Sequence, residues 1–219
     1  MERFCRASIG SRIYLPASFM RDPMKKERPT RPLSPAAVRK HLQPYGIEIG
    51  ELSLAWNRQH DHLGQIFWAA LGSDKGAVAF AIWNRLANDR TQRDILKVAI
   101  EAGAIRRVSE GPRATDDTLW LIKETNALAE LRNNAIHAPM TTMTNVATGT
   151  TRVEAWDFFG NPRAKKLAAK PELLGELAWY RQCAECLEEF LVSLSSCIAF
   201  PGANWPWPER PKLPPRGQS

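Results

Sequence analysis

At residues 115–139 the chain reads TDDTLWLIKETNALAELRNNAIHAP, which is the pattern of a long α-helix. Thr115 is a good N-cap, and the two aspartates after it complement the positive end of a helix dipole. Trp120, several leucines and Ile136 recur at helical spacing. Pro139 cannot continue a helix, so we expect the helix to end just before it.

The segments before this stretch also favour helices. Ser34 and Pro35 predict a helix start, and the helix that they begin is expected to end near Pro44–Gly46. Asn88 and Asp89 predict a further start. Between these points an apolar stripe at helical spacing predicts another helix, with its members at Leu52, Trp56, Leu63, Phe67 and Leu71.

Two more segments complete the expected architecture. Residues 77–86 are apolar on nearly all sides, as in a central buried helix, and a long helix is expected from just after Pro171 to about Phe200. About four long helices with short connections predict an all-α fold, an antiparallel helical bundle. Residues 141–158, rich in Thr and Val, predict a small β-hairpin or an ordered loop inserted in it.

Composition divides the chain into three parts. Residues 1–34 are basic and interrupted by prolines, so we expect a disordered arm. Met24 followed by Lys-Lys-Glu-Arg looks like a bacterial start, which leads to the hypothesis that residues 1–23 come from an overcalled start codon. Residues 35–200 form the helical domain. The segment 201–219, rich in Pro and Trp, is expected to be extended or disordered.

The net charge of +7 and the isoelectric point near 9.5 suit a polyanionic partner such as RNA. Residues 1–40 hold much of this excess, so it need not belong to a site. No secretory signal and no apolar run of about 20 residues is present, which favours a cytoplasmic protein with reduced thiols and no membrane span.

One short motif carries chemistry. Arg132, Asn133 and His137 lie in the segment Arg-Asn-Asn-Ala-Ile-His at the end of the predicted helix. Cleaving RNA without a metal needs a base for the 2′-hydroxyl, an acid for the leaving 5′-oxygen and positive charge near the phosphorus. Histidine transfers protons near neutral pH, and arginine holds a phosphate through a charged fork.

This segment resembles the Arg-x4–6-His motif of the HEPN superfamily, all-α ribonucleases and related domains common in bacterial toxin and defence systems. The resemblance rests on six residues and on the helical setting of roughly residues 47–200. It implies a metal-independent endoribonuclease with no cofactor, in which Arg132, Asn133 and His137 are catalytic. It also implies a homodimer whose motif helices face each other, and a restraining antitoxin or other protein partner.

Helix geometry limits how the motif can work in one chain. Residues five apart on a helix point about 140° from one another, so Arg132 and His137 do not share a face. Asn133 and His137, four apart, do share one. The site therefore needs either a distorted last turn or a second copy of the helix.

Other polar residues have two interpretations each. We expect Asn134, Arg90 and Arg93 to bind substrate, although the group around Arg90 also fits a solvated face. The basic run at 163–166 likewise fits either a phosphate-binding surface or a solvated face. His60 lies on the apolar stripe and is more typical of a hydrogen-bonded core residue than of a catalytic one.

The four cysteines give no clear metal site. Cys183 and Cys186 are three apart in mid-helix without two further ligands at zinc spacing, so we expect no metal there and interpret them as small apolar side chains. Two functions compete with the ribonuclease. One is a non-catalytic helical dimer that binds RNA or protein, with the Trp- and Pro-rich tail as a docking segment. The other, a DNA-binding regulator, lacks a helix-turn-helix signature.

Overall fold

A computed structural model describes residues 33–106, 110–145, 147–157, 160–170, 172–203 and 205–217. Within them lie six α-helices and one β-hairpin, so the all-α prediction is confirmed with six helices instead of about four. The helices are α1 (Pro35–Leu71), α2 (Gly76–Arg85), α3 (Asp89–Glu101), α4 (Gly111–His137), α5 (Pro162–Ala168) and α6 (Leu173–Ala199), and the strands are β1 (Met140–Thr144) and β2 (Thr151–Ala155). The predicted arm, except for its last two residues, lies outside the described residues.

Helix α1 runs through the point where its end was predicted. Its start is as expected, because Ser34 Oγ accepts a hydrogen bond from the backbone N–H of Ala37. The predicted end near Pro44–Gly46 is wrong. Pro44 cannot donate to the carbonyl four residues earlier, but both positions are exposed, so water can hydrogen-bond that carbonyl. Tyr45 and Ile49 pack against the core just beyond and hold the chain in the same helix.

Helices α1 and α6 run parallel, which corrects the prediction of a wholly antiparallel bundle. Their contacts advance together along both helices, pairing Glu48 with Arg181, Gln59 with Ala184, His62 with Ser195 and Trp68 with Phe200. The intervening hundred or so residues are long enough to bring the chain back to the end where α1 began. Helix α4 has the opposite direction, because Trp120 packs on Phe190 while the hairpin after α4 lies beside Leu173 at the start of α6.

Helix α2 is an edge helix, so the prediction that residues 77–86 are centrally buried is wrong. Ala79 and Trp83 are buried, whereas the side chains of Val78, Phe80 and Ile82 are exposed. Trp83 packs on the ring of Phe67 in α1. The contacts of α2 are mainly with α1, so one face is covered and the other is left apolar and open.

After the short 3₁₀ helix Pro201–Ala203, residues 205–217 contain no helix or strand, and several of their side chains contact the helical domain. Trp207 Nε1 donates to Asp117 Oδ2 at 2.7 Å, and Trp179 Nε1 donates to the carbonyl of Pro214 at 2.8 Å. Arg216 binds both carboxylate oxygens of Glu176. The prolines from 206 onward form no helix, and the side chains between them contact α4 and α6 and hold the tail there.

Helix α4 begins at Gly111, four residues before the predicted cap. A Cβ at this position would lie 2.3 Å from the carbonyl oxygen of Arg106, so the close turn requires glycine. The helix ends at His137, two residues before Pro139, as predicted. The insertion is the predicted hairpin, with Met140 opposite Ala155 and Thr144 opposite Thr151. None of the helices in the described residues is long and apolar enough to span a membrane.

Candidate functional site

A polar cleft of about 640 Å³ lies between α3, α4 and α5. Its walls carry four basic side chains, three carboxylates and three amides, which are Arg90, Arg93, Arg163, Lys166, Asp89, Asp94, Glu130, Asn126, Asn133 and Asn134. Helix α3 begins at an Asn88 cap, which places its first turns beside the middle of α4. Helix α5 begins at an Asn161 cap and supplies the two cations of the opposite wall.

The charges of the cleft are largely paired. Each carboxylate has a basic partner, Asp89 with Arg93 at 3.6 Å, Asp94 with Arg90 at 3.8 Å, and Glu130 with Lys166. Arg163 makes no ion pair within the described residues. The cleft therefore has a net charge of about +1 at neutral pH, and Arg163 is the cation available to an anionic ligand.

A buried hydrogen-bond network forms the floor of the cleft. Arg93, only 2% exposed, donates from Nε to Asn126 Oδ1 at 2.7 Å and from Nη1 to His60 Nε2 at 2.8 Å. Since arginine only donates, His60 Nε2 must accept, and Nδ1 carries the proton that is donated to the carbonyl of Trp56. Trp56 Nε1 in turn donates to Asp89 Oδ2 at 2.9 Å.

This environment determines two charge states. Burial lowers the pKa of His60, and the nearby Arg93 and Arg132 add to this, while the hydrogen bond to the Trp56 carbonyl opposes it. Burial alone would raise the pKa of Asp89, but the hydrogen bond from Trp56 and the charge of Arg93 outweigh it, so the pKa lies below its usual value. The floor thus combines a neutral histidine with an ionised aspartate.

Arg132 belongs to this floor and not to the lining of the cleft. Its guanidinium lies 5.4 Å from the ring centroid of Trp56, and that of Arg93 lies 5.2 Å from the same centroid. Arg132 Nη1 donates to Asn133 Oδ1 at 3.0 Å. Its Nε is buried and has no hydrogen-bond partner among the described residues. In this arrangement Arg132 orients Asn133.

The motif residues are therefore divided between two places. Asn133 and Asn134 line the cleft, whereas His137 is exposed at the end of α4 and outside the lining. Arg90, Arg93 and Asn134 all line the cleft. Arg90 is exposed, whereas Arg93 and Asn134 are buried, and substrate binding by the three stays a prediction.

Three contributors to the cleft were missed or left open by the sequence. Asn126 stands seven residues before Asn133, which is two helical turns on the same face, and that spacing was the available signal. Arg163 and Lys166 lie three apart, but only the unexpected α5 turns them toward the cleft. His60 is hydrogen-bonded and buried, as its place on the apolar stripe predicted.

The cysteines offer no comparable site. Burial raises the pKa of Cys183 to about 11, so its thiol stays protonated and unreactive near neutral pH. In the described part of the chain, no group of three or more His, Cys, Asp or Glu side chains is placed to hold a metal ion. Compared with models of protein families, with curated proteins and with solved structures, the chain shows no significant match to any of them.

Proposed function

We propose that this protein is a metal-independent endoribonuclease of the HEPN type, acting in the cytoplasm, whose cleft holds RNA beside His137. The position of Asn133 carries the proposal. Its side chain lines the cleft, Arg132 holds its amide, and His137 follows one helical turn later on the same face. RNA held by the cleft would thus pass close to an exposed imidazole.

The chemistry assigned to His137 is proton transfer in a transesterification. The ribose 2′-hydroxyl loses its proton to a base, its oxygen bonds to the adjacent phosphorus, and the bond from phosphorus to the 5′-oxygen breaks. The 5′-oxygen then takes a proton from an acid, leaving a 2′,3′-cyclic phosphate and a 5′-hydroxyl. Arg163, the cleft cation without an ion pair among the described residues, would stabilise the charge on phosphorus.

A second copy of the chain completes this proposal. The reaction needs one base and one acid, and each chain places one exposed histidine at the end of α4. A homodimer with facing α4 ends supplies both imidazoles. The same resemblance leads us to propose a toxin or defence component held in check by a protein partner.

The test is RNA cleavage by the purified protein in EDTA. We expect His137→Ala to lower the rate by about 100-fold or more, the usual effect of losing a general acid or base. His41→Ala, a matched change in the first turns of α1, should cleave like the wild type. Equal cleavage by wild type and His137→Ala, or cleavage only with added Mg²⁺, would refute the mechanism.

A non-catalytic RNA-binding module is the second candidate, and one observation favours it. His137 does not line the cleft. Protein that binds RNA and leaves it intact, with or without Mg²⁺, would support this function and exclude the first.

A further inference from the structure

We propose that the cleft binds the phosphodiester backbone of RNA and does not read the bases, because Arg93 and Arg132 fix two cleft amides as hydrogen-bond donors. This inference rests on the proposed function in taking RNA as the ligand. It adds the part of RNA that is recognised, and it assigns Arg93 and Arg132 as positioning residues.

The orientation of both amides follows from their arginine partners. Asn126 Oδ1 accepts from Arg93 Nε at 2.7 Å, and Asn133 Oδ1 accepts from Arg132 Nη1 at 3.0 Å. A guanidinium has no acceptor, so each amide must present its oxygen to the arginine. The Nδ2 group, with two N–H donors, is the part of each side chain left for a ligand in the cleft.

The two arginines are themselves fixed by a shared aromatic ring. Both guanidinium groups lie against Trp56, at 5.2 Å and 5.4 Å from its centroid. Asp89 accepts from the indole N–H and lies 3.6 Å from Arg93, which anchors the ring and one arginine together. The donors of Asn126 and Asn133 are therefore held in place before any ligand arrives.

A surface with donors and cations selects a ligand that offers acceptors. Phosphate oxygens only accept hydrogen bonds, whereas the Watson–Crick edge of every base combines donors with acceptors. Each carboxylate of the cleft is paired with a basic side chain, which competes with a base for its oxygens. Seven residues separate the two amides, which is about 10 Å along α4.

Binding can be measured apart from cleavage with 2′-O-methyl oligonucleotides, which lack the attacking hydroxyl. The variants are Asn126→Asp and Asn133→Asp, which keep an oxygen for the arginine and replace the N–H donors with a charged acceptor. Asn145→Asp is the matched control, because Asn145 Oδ1 also accepts a hydrogen bond, from Ala147 N, but lies in the hairpin loop. The probes are 2′-O-methyl oligouridylate and oligoadenylate of equal length.

We expect wild type to bind the two probes with Kd values within about threefold of each other, since no base is read. Asn126→Asp and Asn133→Asp should weaken both by tenfold or more, and Asn145→Asp by less than twofold. An Asn126→Asp affinity equal to that of Asn145→Asp would overturn the inference. So would a tenfold preference of the wild type for one probe.

A second measurement needs no variant and so does not depend on folding of the aspartate substitutions. A 2′-O-methyl oligonucleotide with methylphosphonate linkages loses one charged oxygen at each phosphorus. Wild-type protein should bind it at least tenfold more weakly than the phosphodiester, and equal binding would overturn the inference. RNA cleavage with no effect of Asn126→Asp on binding would refute only this inference, whereas donor-dependent binding without cleavage would refute only the nuclease.

Discussion

Among single residues, His60 shows how a side chain outside the cleft determines what the cleft offers. Its neutral ring accepts from Arg93, which leaves Arg93 Nε directed at Asn126. Protonation of His60 would place an N–H donor against the guanidinium and add a like charge within the same buried network. Both changes oppose the arrangement that orients Asn126.

The first prediction concerns stability as the pH is lowered. The unfolded chain takes up a proton on His60 near the usual pKa of 6.5, while burial lowers the pKa in the folded protein. The unfolded state then binds more protons, so the free energy of unfolding falls as the pH drops below about 6.5. In His60→Gln, where Oε1 can still accept from Arg93, this contribution is absent.

Urea unfolding at pH 7.5 and pH 5.0 tests this prediction. The loss of free energy of unfolding between the two values should be smaller in His60→Gln than in the wild type. His41→Gln, on the same helix but outside the network, is the control and should follow the wild type. An equally steep loss in all three proteins would show that the proton uptake lies elsewhere.

Among the elements, the tail differs most from what its sequence implied. A segment rich in prolines and tryptophans, with no helical or strand pattern, is typical of a tail that does not pack on the domain. The residues that hold this tail lie in helices far from it in the sequence. Asp117 was interpreted as a first-turn acid of α4, but that helix begins at Gly111 and buries the carboxylate under Trp207. Local patterns could not predict this pairing because it joins residues ninety positions apart.

The helices themselves were more predictable than their arrangement. Apolar spacing and caps located α3, α4 and α6, since those signals are local to each helix. Apolar spacing does not show which helix packs against an apolar face. The sequence therefore predicted α2 as a central buried helix, although Val78 is exposed. For the site, Asn133 and Asn134 were found by motif, whereas the cleft depends on tertiary partners such as Arg163 that no local pattern joins to them.

The second prediction concerns the carboxylate that anchors the tail. Asp117→Asn weakens the charge-assisted hydrogen bonds from Trp207 and Arg210, and we expect it to lower the free energy of unfolding by about 1–3 kcal/mol. Asp116→Asn removes the other carboxylate that Arg210 contacts, but its side chain is 77% exposed, so the expected loss is about 0.5 kcal/mol or less.

Chemical denaturation of both variants measures the difference, and trypsin reports on the tail directly. Leu213 packs against the core, and we expect cleavage after Lys212 to become faster in Asp117→Asn because the tail is then held less firmly. Equal destabilisation by the two substitutions would mean that Asp117 does not hold the tail.

For the molecule as a whole, most of the excess positive charge lies outside the cleft. The first 32 residues hold eight basic and three acidic side chains, which is five of the seven excess positive charges. The cleft contributes a net charge of about +1. Long-range attraction of a polyanion should therefore depend mainly on residues 1–32, and the cleft should determine how the bound strand is held.

The third prediction separates these two contributions in the full-length chain. Replacing Lys25, Lys26 and Arg28 with Gln should weaken binding of a 2′-O-methyl oligonucleotide at low salt. If each of the three neutralises one phosphate, the slope of log K against log salt should flatten by about 2, since each phosphate accounts for about 0.7 of that slope. Asp94→Asn, which removes a cleft carboxylate and frees Arg90, should instead tighten binding and steepen the slope.

Titrations at several salt concentrations give both slopes from one experiment. Because the triple substitution leaves the cleft intact, it should also leave the ratio of wild-type to Asn126→Asp affinity unchanged. If this affinity ratio falls toward one in the triple variant, residues 1–32 and the cleft form one continuous binding surface. An unchanged slope would place the long-range attraction on the helical domain and not on the chain before it.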